Sequence, residues 1–113
     1  MIARNVIDDW FANGRTRGLS FDGDLVWGYF FVDPARPVLQ KFSEVLAAGG
    51  YQVIDILNPQ KQGGVRFLHV SRVEKHDEQS LYERCQELSA LAANHRVKFD
   101  GFDVGRLDGS PLY

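Results

Sequence analysis

Nucleophilic or acid–base catalysis needs a nucleophile, a base or a metal-ligand set at close quarters. This sequence offers three histidines, His69, His76 and His95, and one cysteine, Cys85. The histidines lie far apart in the chain. His69 falls mid-strand and reads as a packed or surface ring. His95 falls near a helix end, where a cation sits well against the helix dipole. Cys85 lies on the apolar stripe of a predicted helix and reads as a buried, inert thiol, because a reactive one needs an electropositive opening. A lone cysteine can form neither an internal disulfide nor a cysteine-rich zinc site, which fits a reducing compartment. No Gly-x-Ser-x-Gly elbow, phosphate loop or dinucleotide fingerprint occurs. Asp100, Asp103 and Asp108 form a loose acidic group, but a calcium loop needs denser oxygens over about twelve residues and a closing Glu. These residues predict no enzyme, no metal site and no cofactor.

Binding chemistry remains. Aromatic residues are 12% of the chain, enough to fill a core and to present at a surface. Arg66, Arg72, Lys75 and Lys98 are expected to gather on one sheet edge, as protective charge or as a dock for an acidic partner. The net charge is −2, and nucleic-acid binders usually carry a basic excess, so direct nucleic-acid binding is not expected.

These residues must be positioned by elements legible from periodicity and punctuation. Ile2, Val6, Ile7, Trp10 and Phe11 give a helical stripe over 2–13, stopped by Asn13-Gly14. A Gly-rich loop leads to an aromatic strand at 25–32, bounded by Asp33-Pro34. Asp33 can cap the next helix, with Pro34 in its first turn or Pro37 marking its start, and Gly49-Gly50 ends it. Strands follow at 51–57 and 65–73, then a helix over about 78–95 entered at His76 or Asp77, and a strand at 97–104. Gly101 hints at a bulge or a close approach in that strand. The tail, residues 106–113, reads as poorly fixed.

The order is one helix, then β-α-β-β-α-β. That pattern predicts an α+β, ferredoxin-like sandwich: a four-stranded antiparallel sheet in order 4-1-3-2, two helices on one face, and an extra N-terminal helix. At 113 residues the chain is expected to be one domain, with the helix at 2–13, a core at 25–105 and the tail. No apolar run reaches a membrane span, and the acids in MIARNVIDDW argue against a signal peptide, so a cytoplasmic, bacterial location is expected.

Strand alternation then sorts side chains by face. Val26, Gly28, Phe30 and Val32, with Leu68 and Val70, suit the helix-covered face. Trp27, Tyr29, Phe31, Phe67 and His69 fall on the other. Three readings of that second face stand: the N-terminal helix covers it, a protein partner uses it, or single-stranded RNA stacks on it. VRFLHVSRV lacks the glycine-aromatic signature of an RNA-recognition motif. Phe102 is expected towards the core and Phe99 on the opposite side.

The pieces resemble the regulators of ribonuclease E activity of the B type, the RraB family. The carrying motifs are LVWGYFFVDP (25–34), Gly50-Tyr51-Gln52-Val53, and LSALAANHRVKFDGFDVG (88–105) with its core Phe99-Asp100-Gly101-Phe102-Asp103. The resemblance spans residues 1–105. It differs in charge, since the family is strongly acidic, and in having Phe99 and Phe102 where the family prefers Tyr and Trp. The resemblance implies a ferredoxin-like, non-enzymatic protein that binds the endonuclease ribonuclease E, lowers its activity and alters mRNA decay. Partner binding is then assigned to aromatic anchors rimmed by acids: Trp27, Tyr29, Phe67, Asp100 and Asp103. The alternative is an immunity-type protein that neutralises a cognate toxin, perhaps a nuclease, by direct binding. A third is an enzyme or small-molecule sensor with a pocket between helices and sheet. A homodimer through a sheet edge or open face also suits this fold.

Overall fold

The computed structural model describes residues 2–59, 61–110 and 112, ordered α1 (Arg4–Thr16), β1 (Leu25–Asp33), α2 (Arg36–Ala48), β2 (Gln52–Leu57), β3 (Arg66–Glu74), α3 (Glu78–Asn94) and β4 (Lys98–Gly105). Each helix ends in a Schellman closure. Gly18 N donates to Arg15 O and Leu19 N to Gly14 O; Gly50 N donates to Ala47 O and Tyr51 N to Leu46 O; Arg96 N donates to Ala93 O and Val97 N to Ala92 O. The corner residue must be left-handed. Gly18 and Gly50 adopt that conformation freely, whereas Arg96 does so at φ 59° with a side chain attached.

Helix starts follow local capping. Asp33 Oδ2 accepts from Ala35 N at 2.8 Å ahead of α2. Asp77 and Ser80 form a reciprocal capping box at α3, at 2.8 and 2.9 Å. Gly14 does not stop α1, as its composition suggested. The helix runs on to Thr16, and Gly14 is there for packing, since a Cβ would lie 2.5 Å from Phe21 Cζ.

The sheet order is β2-β3-β1-β4 and every pair is antiparallel. This is the arrangement expected from the β-α-β-β-α-β order. The side assignment is corrected. Trp27, Tyr29 and Phe31 lie on the helix-covered face with Leu68 and Val70, and all five are fully buried. Rings carry the most apolar area, so burying them yields the larger hydrophobic gain, and Val26, Phe30 and Val32 take the other side.

The N-terminal helix joins the same layer rather than covering the second face. Phe11 and Trp10 meet Trp27 at ring distances of 6.2 and 5.8 Å, and Trp10 meets Phe102 at 5.1 Å. Arg15 bonds Glu78 with two nitrogens at 2.8 and 2.9 Å, tying α1 to α3. Three helices therefore sit on one face of the sheet, not two.

A bulge sits in β4. Phe31 pairs with Phe99 but Phe30 pairs with Gly101, leaving Asp100 as the extra residue. The extra residue resets the alternation, so Phe99 and Phe102 both face the helices, against the expectation of opposite sides. Gly101 has no atom near its absent Cβ, so the bulge, not a close approach, is the feature there. The tail is corrected too. Arg106 N donates to Ser110 O and Gly109 N to Arg106 O, both at 3.0 Å, and Leu112 is buried. Asp108 fixes this turn by accepting from Ser110 N at 2.9 Å and Ser110 Oγ at 2.6 Å.

Candidate functional site: the uncovered face of the sheet

The face without helices is built from four cross-strand rows. One row is Leu57, Phe67, Val32 and Lys98. The next is Asp55, His69, Phe30 and Gly101. The third is Gln52, Ser71, Gly28 and Asp103. The last is Val73, Val26 and Gly105. Val73 and Leu57 are 55% and 45% exposed, so large apolar groups reach solvent here. Val26, Phe30, Val32 and Phe67 are half-buried beside them. Apolar groups dominate the first and last rows and Phe30 lies between them, so the face is a mixed surface in which apolar side chains flank polar and charged ones.

Its centre is polar. His69 stacks on Phe30 with ring centroids 4.4 Å apart and planes 14° apart. A Cβ on Gly28 would lie 2.8 Å from His69 Nε2 and 2.1 Å from Asp103 Oδ1. The imidazole and the carboxylate thus lie down over a glycine floor. A cavity of about 550 Å³ opens above, walled by Val26, Ile54 and the 106–110 turn.

The five proposed anchors separate. Phe67 and Asp103 are on this face, and Asp100 is exposed at the β4 bulge. Trp27 and Tyr29 are corrected to interior residues, each 0% exposed, beyond the reach of a partner. The four basic residues do not share an edge, because β3 is an interior strand. Arg66 donates to Pro34 O and Arg72 to Gly49 O, while the Arg72 guanidinium lies over the Tyr51 ring at 5.2 Å. Asp100, Asp103 and Asp108 do not converge, and among the described residues no three His, Cys, Asp or Glu side chains gather to hold a metal. Cys85 is fully buried, and burial pushes its thiol up to about 12.

One cluster escaped the sequence reading. Tyr29 OH donates to Glu74 Oε1 at 3.0 Å, and Arg84 binds Glu74 Oε2 through Nε at 3.0 Å and also through Nη2. His76 Nε2 lies 3.4 Å from Glu74 Oε1, and its Nδ1 lies 2.9 Å from Ser80 Oγ. Burial alone would raise the Glu74 carboxyl. Hydrogen bonds from His76, Arg84 and Tyr29 outweigh it and hold the group down to about 2. The cluster lies on the helix side and locks the end of β3 to α3, a structural role. Gly28 and Phe30 were also missed. A glycine inside an otherwise apolar strand was the available signal.

The sequence model of RraB, regulator of ribonuclease activity B, matches residues 5–104. The chain belongs to the RraB family. No curated protein matches it. The match runs from the first turn of α1 to Val104 in β4, so it takes in every residue of the four rows except Gly105. The 106–110 turn that walls the cavity lies just outside the match. RraB is a family of ribonuclease regulators, which directs attention to a surface able to hold another protein. Among the described residues no helix is long and apolar enough to cross a membrane.

Proposed function

We propose that this protein is a non-catalytic, cytoplasmic regulator that binds an endoribonuclease of the ribonuclease E type and lowers its activity, altering mRNA decay. Membership in the RraB family supports the ribonuclease, and the uncovered face, with its exposed apolar groups, supports direct binding. That face is the observation that carries the reading. Phe67 and Leu57 act as apolar anchors, with Asp103 supplying an acid over Gly28 and Asp100 one at the β4 bulge.

The test is capture of partners by the tagged full chain from host lysate, with and without nuclease, read by mass spectrometry. Ribonuclease E in both arms, lost with Leu57→Asp, is the expected result. Loss on nuclease treatment would mean that RNA bridges the two. A single toxin-like protein in its place would replace this reading with the immunity-type one.

A further inference from the structure

We infer that the cavity over Gly28 is an anchor pocket for one arginine side chain of the bound protein. The inference rests on the reading that the uncovered face binds a protein, and it names the chemistry of the contact. His69 Nε2 and Asp103 Oδ1 converge on the space that a Cβ at residue 28 would fill. Neither side chain has a hydrogen bond or ion pair among the described residues. The Phe30 stack holds the imidazole in place, so the site is pre-arranged.

Charge complementarity selects the occupant. Asp103 is an exposed, unpaired carboxylate, and Asp55 stands across from His69 on the neighbouring strand. Arg106 also lines the cavity; nearby Asp108 has its carboxyl held down chiefly by hydrogen bonds from Ser110. A guanidinium fits better than an ammonium. Its planar fork of N–H donors can reach a carboxylate oxygen and, in the neutral form, an imidazole nitrogen together. Val26, Ile54 and Leu107 supply apolar walls for the aliphatic stem. A metal ion is the poorer occupant, because the pocket offers only two ligands of the right kind.

The test is an NMR titration of the isotopically labelled full chain near neutral pH. The probes are N-acetyl-arginine amide, N-acetyl-lysine amide and N-acetyl-citrulline amide, the last a neutral isostere of arginine. The arginine probe is expected to shift Gly28, His69 and Asp103 saturably. Asp103→Asn should weaken it about tenfold, the loss of one charge-assisted hydrogen bond, without disturbing the remaining spectrum. Equal shifts from lysine or citrulline, no shifts from arginine, or binding indifferent to Asp103→Asn would overturn the inference. If arginine fails while ribonuclease E is still captured, the pocket alone is wrong. If arginine binds while capture fails, the partner reading alone is wrong.

Discussion

Gly28 and Asp103 face one another across the β1–β4 ladder, and a Cβ at residue 28 would lie 2.1 Å from Asp103 Oδ1. The central strand thus gives up a side chain where a carboxylate must lie flat on the sheet. Glycine in a strand interior costs stability. Here it leaves a polar hollow in a mixed face.

Gly28→Ala separates stability from binding. The atoms a Cβ meets belong to the Asp103 and His69 side chains, not to backbone, so the carboxylate can swing aside and the imidazole need only slide along its stack on Phe30. The gain in strand preference offsets that displacement, and the urea unfolding free energy should change by less than about 1 kcal/mol. Partner capture should nevertheless fall sharply, because the methyl group fills the hollow. A large loss of stability would show that the two side chains have nowhere to go.

Trp27→Ala should destabilise by about 3–5 kcal/mol, against about 1 kcal/mol for Phe67→Ala on the uncovered face. Trp27 is enclosed by Trp10, Phe11, His76 and Phe102, with ring distances from 5.1 to 6.2 Å. Paired urea curves decide the matter, and equal costs would contradict the interior placement. Phe67→Ala should instead weaken partner capture from a folded protein.

Acid should unfold the protein partly through Glu74. Its folded carboxyl is held at about 2, below the ordinary value of 4.5. The sign follows from linkage. The stabilisation is complete above the unfolded value and is lost as pH falls towards 2, on the order of 3 kcal/mol for this 8% exposed side chain. Glu78, drawn down to about 2 chiefly by its hydrogen bond from Arg15, titrates over the same range. That pair is nearer the surface and contributes less. Glu74→Gln should lower stability at neutral pH and flatten the acid limb of a stability–pH curve. An unchanged limb would remove Glu74 from the account.

Arg96→Gly should stabilise the fold by about 0.5–1 kcal/mol, because the α3 closure requires a left-handed residue and only glycine takes that shape without strain. Arg96 is exposed, so little packing is lost. Thermal melting of the two proteins checks it, and a lower midpoint for the variant would refute it.

The element order and strand order were readable because capping residues, glycines and periodicity act over a few neighbours. Asp77 with Ser80 and Gly49-Gly50 mark helix ends whatever lies beyond them. The sides of the sheet were harder. Alternation shows that Trp27, Tyr29 and Phe31 share a face, yet Val26, Phe30 and Val32 are also apolar, so the period does not say which set is covered. Phe99 and Phe102 were misread because one bulged residue, Asp100, reverses a two-residue period. Of the five anchor residues, Phe67 and Asp103 fall on the uncovered face, while two tryptophan- and tyrosine-type anchors, Trp27 and Tyr29, went to the core.

The sequence by itself determined the RraB motifs, the β-α-β-β-α-β order and the absence of a familiar catalytic motif, since these rest on residue identity and local spacing. Only the tertiary structure decided that α1 joins the other helices over Trp27, and so leaves the second face open. It alone brought Gly28, His69 and Asp103 together, from three strands distant in the chain. Such convergence depends on pairing register and on which apolar surface wins burial, and both are set by contacts between elements rather than within them.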